Sequence, residues 1–158
     1  MLPKTLEELD YIRKDCYRMV AVRAVVSGST SLIPIPGTDI AADVGMLLQL
    51  IPAISKRFGL DKEQINQFDP QTKALVLRFI QAAGSHFIGK LVTEQVVLQI
   101  LKKVGIRYTT KQIVKYLPFV GQATSAVVGF SAMRYVGNSH VEECYEIVRQ
   151  LLEERDSR

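Results

Sequence analysis

With 158 residues, of which 47% are hydrophobic and 23% are charged, the chain is long enough to bury a core and too apolar to be wholly disordered. Its net charge of +4 is a weaker bias than that of a dedicated nucleic-acid-binding domain. The N-terminal residues lack a secretory signal, and Cys16 and Cys144 lack metal-ligand spacing. We therefore expect one domain over residues 1–158 in a reducing, cytoplasmic compartment.

A helical repeat of apolar residues opens the chain. Thr5 is the predicted N-cap of a first helix, and an apolar stripe then recurs from Leu6 to Ala24 at steps of three and four residues. The Ser-Gly-Ser-Thr cluster at 27–30 predicts the end of this helix.

The segment LIPIPGTD at 32–39 predicts an extended turn, because each proline disfavours helical backbone in the residue before it. Thr38 or Asp39 can cap a second helix, which Pro52 can kink and which we expect to end near Gly59.

Further helices follow along the chain. Asp61 predicts the cap of a short helix, and Asp69-Pro70 predicts the start of a long one that continues to Gly105. A short helix is expected over 109–116. After LPFVG at 117–121, another helix is expected to end at Gly137.

The last helix is predicted to begin at a capping box of Ser139 and Glu142. Because the chain shows no sustained alternation of period two, we predict an all-α fold without significant sheet, a single compact bundle of about six or seven helices. Two small-residue helices should lie at its centre, since the sequence at 33–46 aligns without gaps on that at 117–130.

The residues SLIPIPGTDIAADVGMLLQLI, KRFGLD and LPFVGQATSAVVGFSAMRYVG carry a resemblance to a known family. The pattern resembles the helical region of the immunity-related, interferon-inducible GTPases and is similar to EcsC-type and other GTPase-associated bacterial helical domains. It covers roughly residues 20–150. The resemblance implies a non-catalytic bundle that acts at a membrane, with itself or beside a GTPase. It supplies no catalytic residue, and this chain contains no GTPase domain.

GSHFIGKL at 84–91 fits the phosphate-loop spacing, except that Leu91 replaces the magnesium-binding Ser or Thr. A phosphate loop needs a preceding strand and free backbone amides. Because the residues before Gly84 continue a helical pattern, we interpret Gly84 and Gly89 as packing positions within a helix and Lys90 as solvated. Nucleotide binding through Gly84–Lys90 remains the alternative.

Asp39 and Asp43 share a helix face and can do acid–base work or hold a metal, but no third ligand lies nearby in sequence. A cap at Asp39 and an ion pair of Asp43 with Arg23 are the simpler interpretation. His140 is interpreted as a surface residue. Both cysteines are interpreted as buried and unreactive, so we predict no catalytic residue, metal site or cofactor.

Basic residues cluster after the long helix, with a tyrosine among them. This cluster can dock anionic lipid, an acidic partner or nucleic acid, of which nucleic acid is the least favoured. Together with two apolar turns it forms the predicted contact surface, which comprises Pro34, Ile35, Pro36, Gly37, Lys102, Lys103, Arg107, Lys111, Lys115, Pro118 and Phe119.

Function is predicted as a non-catalytic interaction module. It would associate peripherally with the inner face of a membrane, with a protein such as a GTPase, or with itself. The uncharged stretch Tyr116–Met133 comes nearest to a membrane-spanning segment. Its polar residues favour a buried hairpin instead.

Overall fold

A computed structural model describes residues 1–30, 38–85, 87–101, 103 and 123–157, with the side chains of 27–30, 38–42 and 123–129 excepted. These residues contain no strand, which confirms the all-helical prediction for the described part of the chain. Helical backbone also covers residues 94–101. The helices with defined bounds are α1 (Leu6–Thr30), α2 (Thr38–Arg57), α3 (Lys62–Asn66), α4 (Pro70–Ala83) and α5 (Ala123–Asp156).

The predicted caps of α1, α3 and α4 are confirmed. The Thr5 hydroxyl accepts a hydrogen bond from the Glu8 amide at 3.2 Å. Asp61 caps α3 in a reciprocal capping box with Gln64. Asp69 accepts from two amides of the first turn of α4, with Pro70 at the first helical position. These bonds satisfy amides that have no partner within the helix.

The C-terminal helix is longer than predicted. Gly137 was expected to end one helix, and Ser139 with Glu142 to start another, but α5 runs without interruption from Ala123 to Asp156. That prediction is wrong because Gly137 serves helix packing. A Cβ atom at this position would lie 2.7 Å from Cγ1 of Val20 in α1. Glu142 likewise bonds α1 instead of capping.

The α1–α5 pair forms the centre of the bundle. Arg13 contacts Glu142, and Val20 contacts Gly137, so the two helices run antiparallel. α2 packs against both, and α4 packs against α5. The core that they enclose is apolar; its largest fully buried side chains include Leu9, Val20, Leu47, Leu50, Ile51, Ile54, Phe58, Leu60, Ile88, Met133 and Ile147.

The finer predictions about the bundle are met only in part. Five helices have defined bounds, against six or seven predicted, and the ranges 31–37 and 104–122 lie outside the described residues. α2 and α5, the predicted central small-residue helices, do contact each other. Gly45 of α2 does not mediate close approach, since a Cβ atom there would meet no atom within 4 Å.

Candidate functional site

The loop at 84–90 departs from the predicted continuous helix over 69–105. α4 ends at Ala83, because Gly84 adopts the left-handed conformation, with φ of 64°, and caps the helix. Gly89 is also left-handed, with φ of 70°. The two glycines therefore permit turns, and the packing role predicted for them within a helix is wrong.

Ser85 and Lys90 of this loop already have hydrogen-bond partners. The Ser85 hydroxyl accepts from the amides of Phe87 and Ile88 at 3.4 and 3.1 Å and donates to Glu143 at 2.9 Å. The Lys90 ammonium, predicted to be solvated, donates to the Ser85 carbonyl at 3.0 Å. A phosphate cradle needs such amides and the lysine free. A helix also precedes this loop, so the geometry does not favour nucleotide binding at Gly84–Lys90.

The predicted Asp39/Asp43 pair is described only in part. The side chain of Asp39 lies outside them, and Asp43 is half-buried. The Arg23 guanidinium donates to Gln49 of α2 at 3.4 Å. Among the residues that the structure describes, no group of three or more His, Cys, Asp and Glu side chains could hold a metal ion.

A buried polar cluster joins α2, α5 and the 84–90 loop. Nε2 of His140 lies 2.9 Å from the Ser55 hydroxyl and 3.7 Å from Sγ of Cys144. Its Nδ1 lies 4.0 Å from the Glu143 carboxylate, too far for a hydrogen bond. Phe87 packs edge-to-face on the imidazole. The prediction of a surface role for His140 is therefore wrong: it is 1% exposed.

The order serine, histidine, carboxylate has the form of a nucleophile–base–orienter triad. Access argues against that chemistry, because Ser55 is 5% exposed and the imidazole still less. Burial lowers the pKa of His140 to about 4 and outweighs a backbone hydrogen bond at Ile51 that raises it, so the ring is neutral at neutral pH. The cluster is better explained as a polar joint between three elements.

The two cysteines are free and buried, as predicted. Burial raises the pKa of Cys16 to about 11, and it raises that of Cys144 well above its ordinary value. The thiolate is the reactive form, so both are poor nucleophiles at neutral pH.

A second region lies at the end of the bundle where α1 ends. Asp15 contacts Arg57, and Arg23 contacts Gln49, so α2 runs antiparallel to α1. The C-terminal end of α1 and the N-terminal ends of α2 and α5 therefore lie together. We call this the apical end and define it as residues 18–30, 38–50 and 123–138. The opposite end, residues 6–15 and 142–156, is the basal end.

Exposed apolar side chains line α1 at the apical end. Val22, Val25 and Val26 are 63%, 58% and 46% exposed and follow helical spacing. The exposed Arg18 lies one turn earlier on the same face. We call these three valines the valine ridge. The ridge is therefore an exposed apolar patch with a cation at one end.

Charge is segregated between the two ends. The basal end carries ten acidic and four basic side chains. The basic residues of the apical end are Arg18, Arg23 and Arg134, and in sequence the runs 16–38 and 95–141 contain no acidic residue. The acidic residues of the apical end are Asp39 and Asp43.

The predicted contact residues are mostly not described. Lys103 is exposed, as a docking residue must be. Pro34–Gly37 and the segment 104–122, with its predicted contact residues, lie outside the described residues, and so does Lys102. In sequence, however, the first segment joins α1 to α2, and the second leads into α5.

Within the part of the chain that the structure describes, no helix is long and apolar enough to cross a membrane. The segment Tyr116–Met133 begins outside this part and continues as the first turns of α5.

No protein-family model, no curated protein and no solved structure matches the chain. The resemblance to GTPase-associated helical regions therefore stays a prediction.

Reasoning from sequence missed the polar joint and the valine ridge, although signals for both exist. Val22, Val25 and Val26 lie off the apolar stripe of α1, and His140 lies four residues from both Val136 and Cys144. The acid-free runs can be read directly from the sequence.

Proposed function

We propose that this chain is a non-catalytic helical module that associates peripherally with an anionic membrane surface through its apical end. The observation that carries the proposal is the segregation of charge along the bundle, combined with the exposed valine ridge at the acid-poor end.

Electrostatics supports this orientation. Each Lys or Arg near an anionic bilayer contributes about 1 kcal/mol. The apical end supplies Arg18, Arg23 and Arg134 against two carboxylates, and the sequence that leads into α5 contains five further cations. The excess of acidic side chains at the basal end is repelled by the same surface. The molecule therefore behaves as a dipole that turns its apical end toward the lipid.

The valine ridge supplies an apolar contribution. Transfer of an exposed valine from water to the acyl boundary is favourable by about 25 cal/mol per Å² of apolar area. The exposed Arg18 beside the ridge can remain at the headgroup level, as cations flanking interfacial helices do.

Vesicle flotation tests the proposal. The protein should float with vesicles containing phosphatidylserine, remain in solution with phosphatidylcholine alone, and dissociate at high salt because salt screens exposed charges. The triple variant Lys102→Glu, Lys103→Glu, Lys111→Glu should abolish flotation. The control Lys4→Glu, Lys62→Glu, Lys73→Glu makes the same charge change outside the predicted basic cluster and should float. Absence of flotation, or equal loss in both variants, would refute the proposal.

A matched pair of apolar residues tests the ridge. Val26 and Leu77 are each 46% exposed, but Val26 belongs to the ridge and Leu77 to α4. Val26→Asp should weaken binding to anionic vesicles by about tenfold. Leu77→Asp adds the same negative charge away from the ridge, so it should weaken binding only through that charge. Similar loss in the two variants would show that apolar contact at the ridge is irrelevant.

A further inference from the structure

A shallow cleft with a volume of about 260 Å³ lies on the bundle where α1 meets the C-terminal end of α2. α1 supplies five of its lining residues at helical spacing, and Arg57 of α2 closes it. The lining residues are Asp15, Arg18, Met19, Val22, Arg23 and Arg57. Three of these six carry guanidinium groups. Val22 belongs to the valine ridge and Asp15 to the basal end, so the cleft lies where the two ends meet.

The charges in the cleft are only partly neutralised. Asp15 accepts a hydrogen bond from Arg57, whose side chain is 55% exposed. Arg23 donates to the neutral Gln49. Arg18 is exposed and makes no hydrogen bond or ion pair within the described residues. Three cations and one carboxylate leave the cleft with a net charge of +2.

We propose that this cleft binds the phosphomonoester headgroup of an anionic lipid, an inference that rests on the proposed membrane association. A phosphomonoester carries a charge near −2 at neutral pH and three terminal oxygens. A guanidinium presents parallel N–H donors that bind two such oxygens at once. The charge of the ligand therefore matches that of the cleft, and a lipid held there lies beside Val22 of the ridge.

The carboxylate of Asp15 gives the proposal its sharpest test. It would repel a bound phosphate and compete with it for Arg57. Asp15→Asn should therefore tighten binding to phosphatidic acid vesicles by about threefold or more, while Arg18→Gln should weaken it by about tenfold. Arg78→Gln removes the same charge from α4 and serves as the control. If Arg18→Gln and Arg78→Gln act equally, or if Asp15→Asn does not tighten binding, the cleft proposal fails.

The source of the phosphate is resolved by three probes. Vesicles of matched zeta potential containing phosphatidic acid or phosphatidylserine are compared with soluble glycerol phosphate, whose binding is followed through the Arg side-chain NMR signals. Preference for phosphatidic acid supports the proposal. Equal binding to both vesicles overturns the cleft and leaves the membrane function standing. Binding of glycerol phosphate without binding to either vesicle overturns the lipid source and the membrane function, and binding to none of the probes overturns both proposals.

Discussion

The two ends of the α1–α5 pair are held in different ways. At the basal end, Arg13 donates to Glu142 through two nitrogens at 2.7 and 2.5 Å, and Tyr17 donates to the same carboxylate. Tyr145 donates to Asp10 at 2.8 Å. Each of these contacts joins one helix to the other, so polar side chains hold α1 to α5 at the basal end.

Toward the apical end, the defining contact is the apolar packing of Val20 on Gly137. Arg18 and the valine ridge are exposed to solvent there, and Arg23 bonds Gln49 of α2. The difference teaches that polar groups join the two helices at the basal end, whereas at the apical end Arg18 and the valine ridge stay exposed to solvent.

The packing at Gly137 gives the largest expected effect on stability. Gly137→Ala places a methyl group 2.7 and 2.8 Å from the two methyls of Val20, which is stiff because it is β-branched. We expect a loss of about 3 kcal/mol in the free energy of unfolding, measured by urea denaturation, against the small gain in helix propensity.

Two further variants test the cause. Gly45→Ala places a methyl group in open space within α2 and should stabilise the protein by up to about 1 kcal/mol. Val20→Ala should relieve most of the damage in the double variant with Gly137→Ala, so the two effects should not add. If the double variant simply sums the single losses, Val20 is not the obstacle.

Gly137 also shows why the fold could be predicted only in part. Local signals located the N-terminal ends of α1, α3 and α4, since caps such as Asp61 and Asp69 act within one helical turn. The same local signals misjudged Gly84 and Gly137, since glycine serves both turns and close packing. Which role applies at Gly137 depends on Val20, a residue far away in sequence, and no local pattern contains that contact.

The wrong helix end predicted at Gly137 also affects the prediction for His140. A break there hides the stripe of buried residues that runs through Val136, His140, Cys144 and Ile147, so His140 was assigned to the surface. The polar joint also includes Ser55 and Ser85, which come from other elements. Tertiary packing brings them to α5, so no local pattern in the sequence predicts the contact. The uneven distribution of charge can be read from the sequence alone. Only the antiparallel packing of α1 and α5 shows that the acidic residues of both helices lie at the same end.

The pH dependence of stability tests the polar joint, with the next largest effect. The unfolded chain binds a proton at His140 near pH 6.5, whereas the folded protein does so only near pH 4. Since the folded pKa is the lower one, stability is full above pH 6.5 and falls toward pH 4. We expect a loss of about 2 kcal/mol between pH 7 and pH 5.

Urea midpoints measured between pH 7 and pH 5 check this expectation. His140→Leu should flatten the dependence, and the same variant combined with His86→Gln shows what the other histidine of the chain contributes. Glu142 and Glu146 have lowered pKa values and so titrate below this window. A slope that persists in His140→Leu would assign the effect to another group.

The smallest expected effect concerns the basal contacts. Burial raises the pKa of Glu142, but hydrogen bonds from Arg13 and Tyr17 together lower it by more, so the net shift is downward. Such a carboxylate stabilises the fold above its ordinary pKa and loses this contribution as the pH falls. Glu142→Gln should cost at most about 1 kcal/mol at pH 7, because the pair is partly exposed and solvent screens it.

Glu146 supplies the control for this last effect. Its carboxylate bonds Arg149 within α5, so Glu146→Gln breaks a contact inside one helix and should cost only about 0.3–0.5 kcal/mol. The larger loss should therefore occur where the carboxylate joins two helices. If both variants lose the same stability, the basal ion pairs do not hold α1 to α5, and apolar packing would be the main attraction at both ends of the pair.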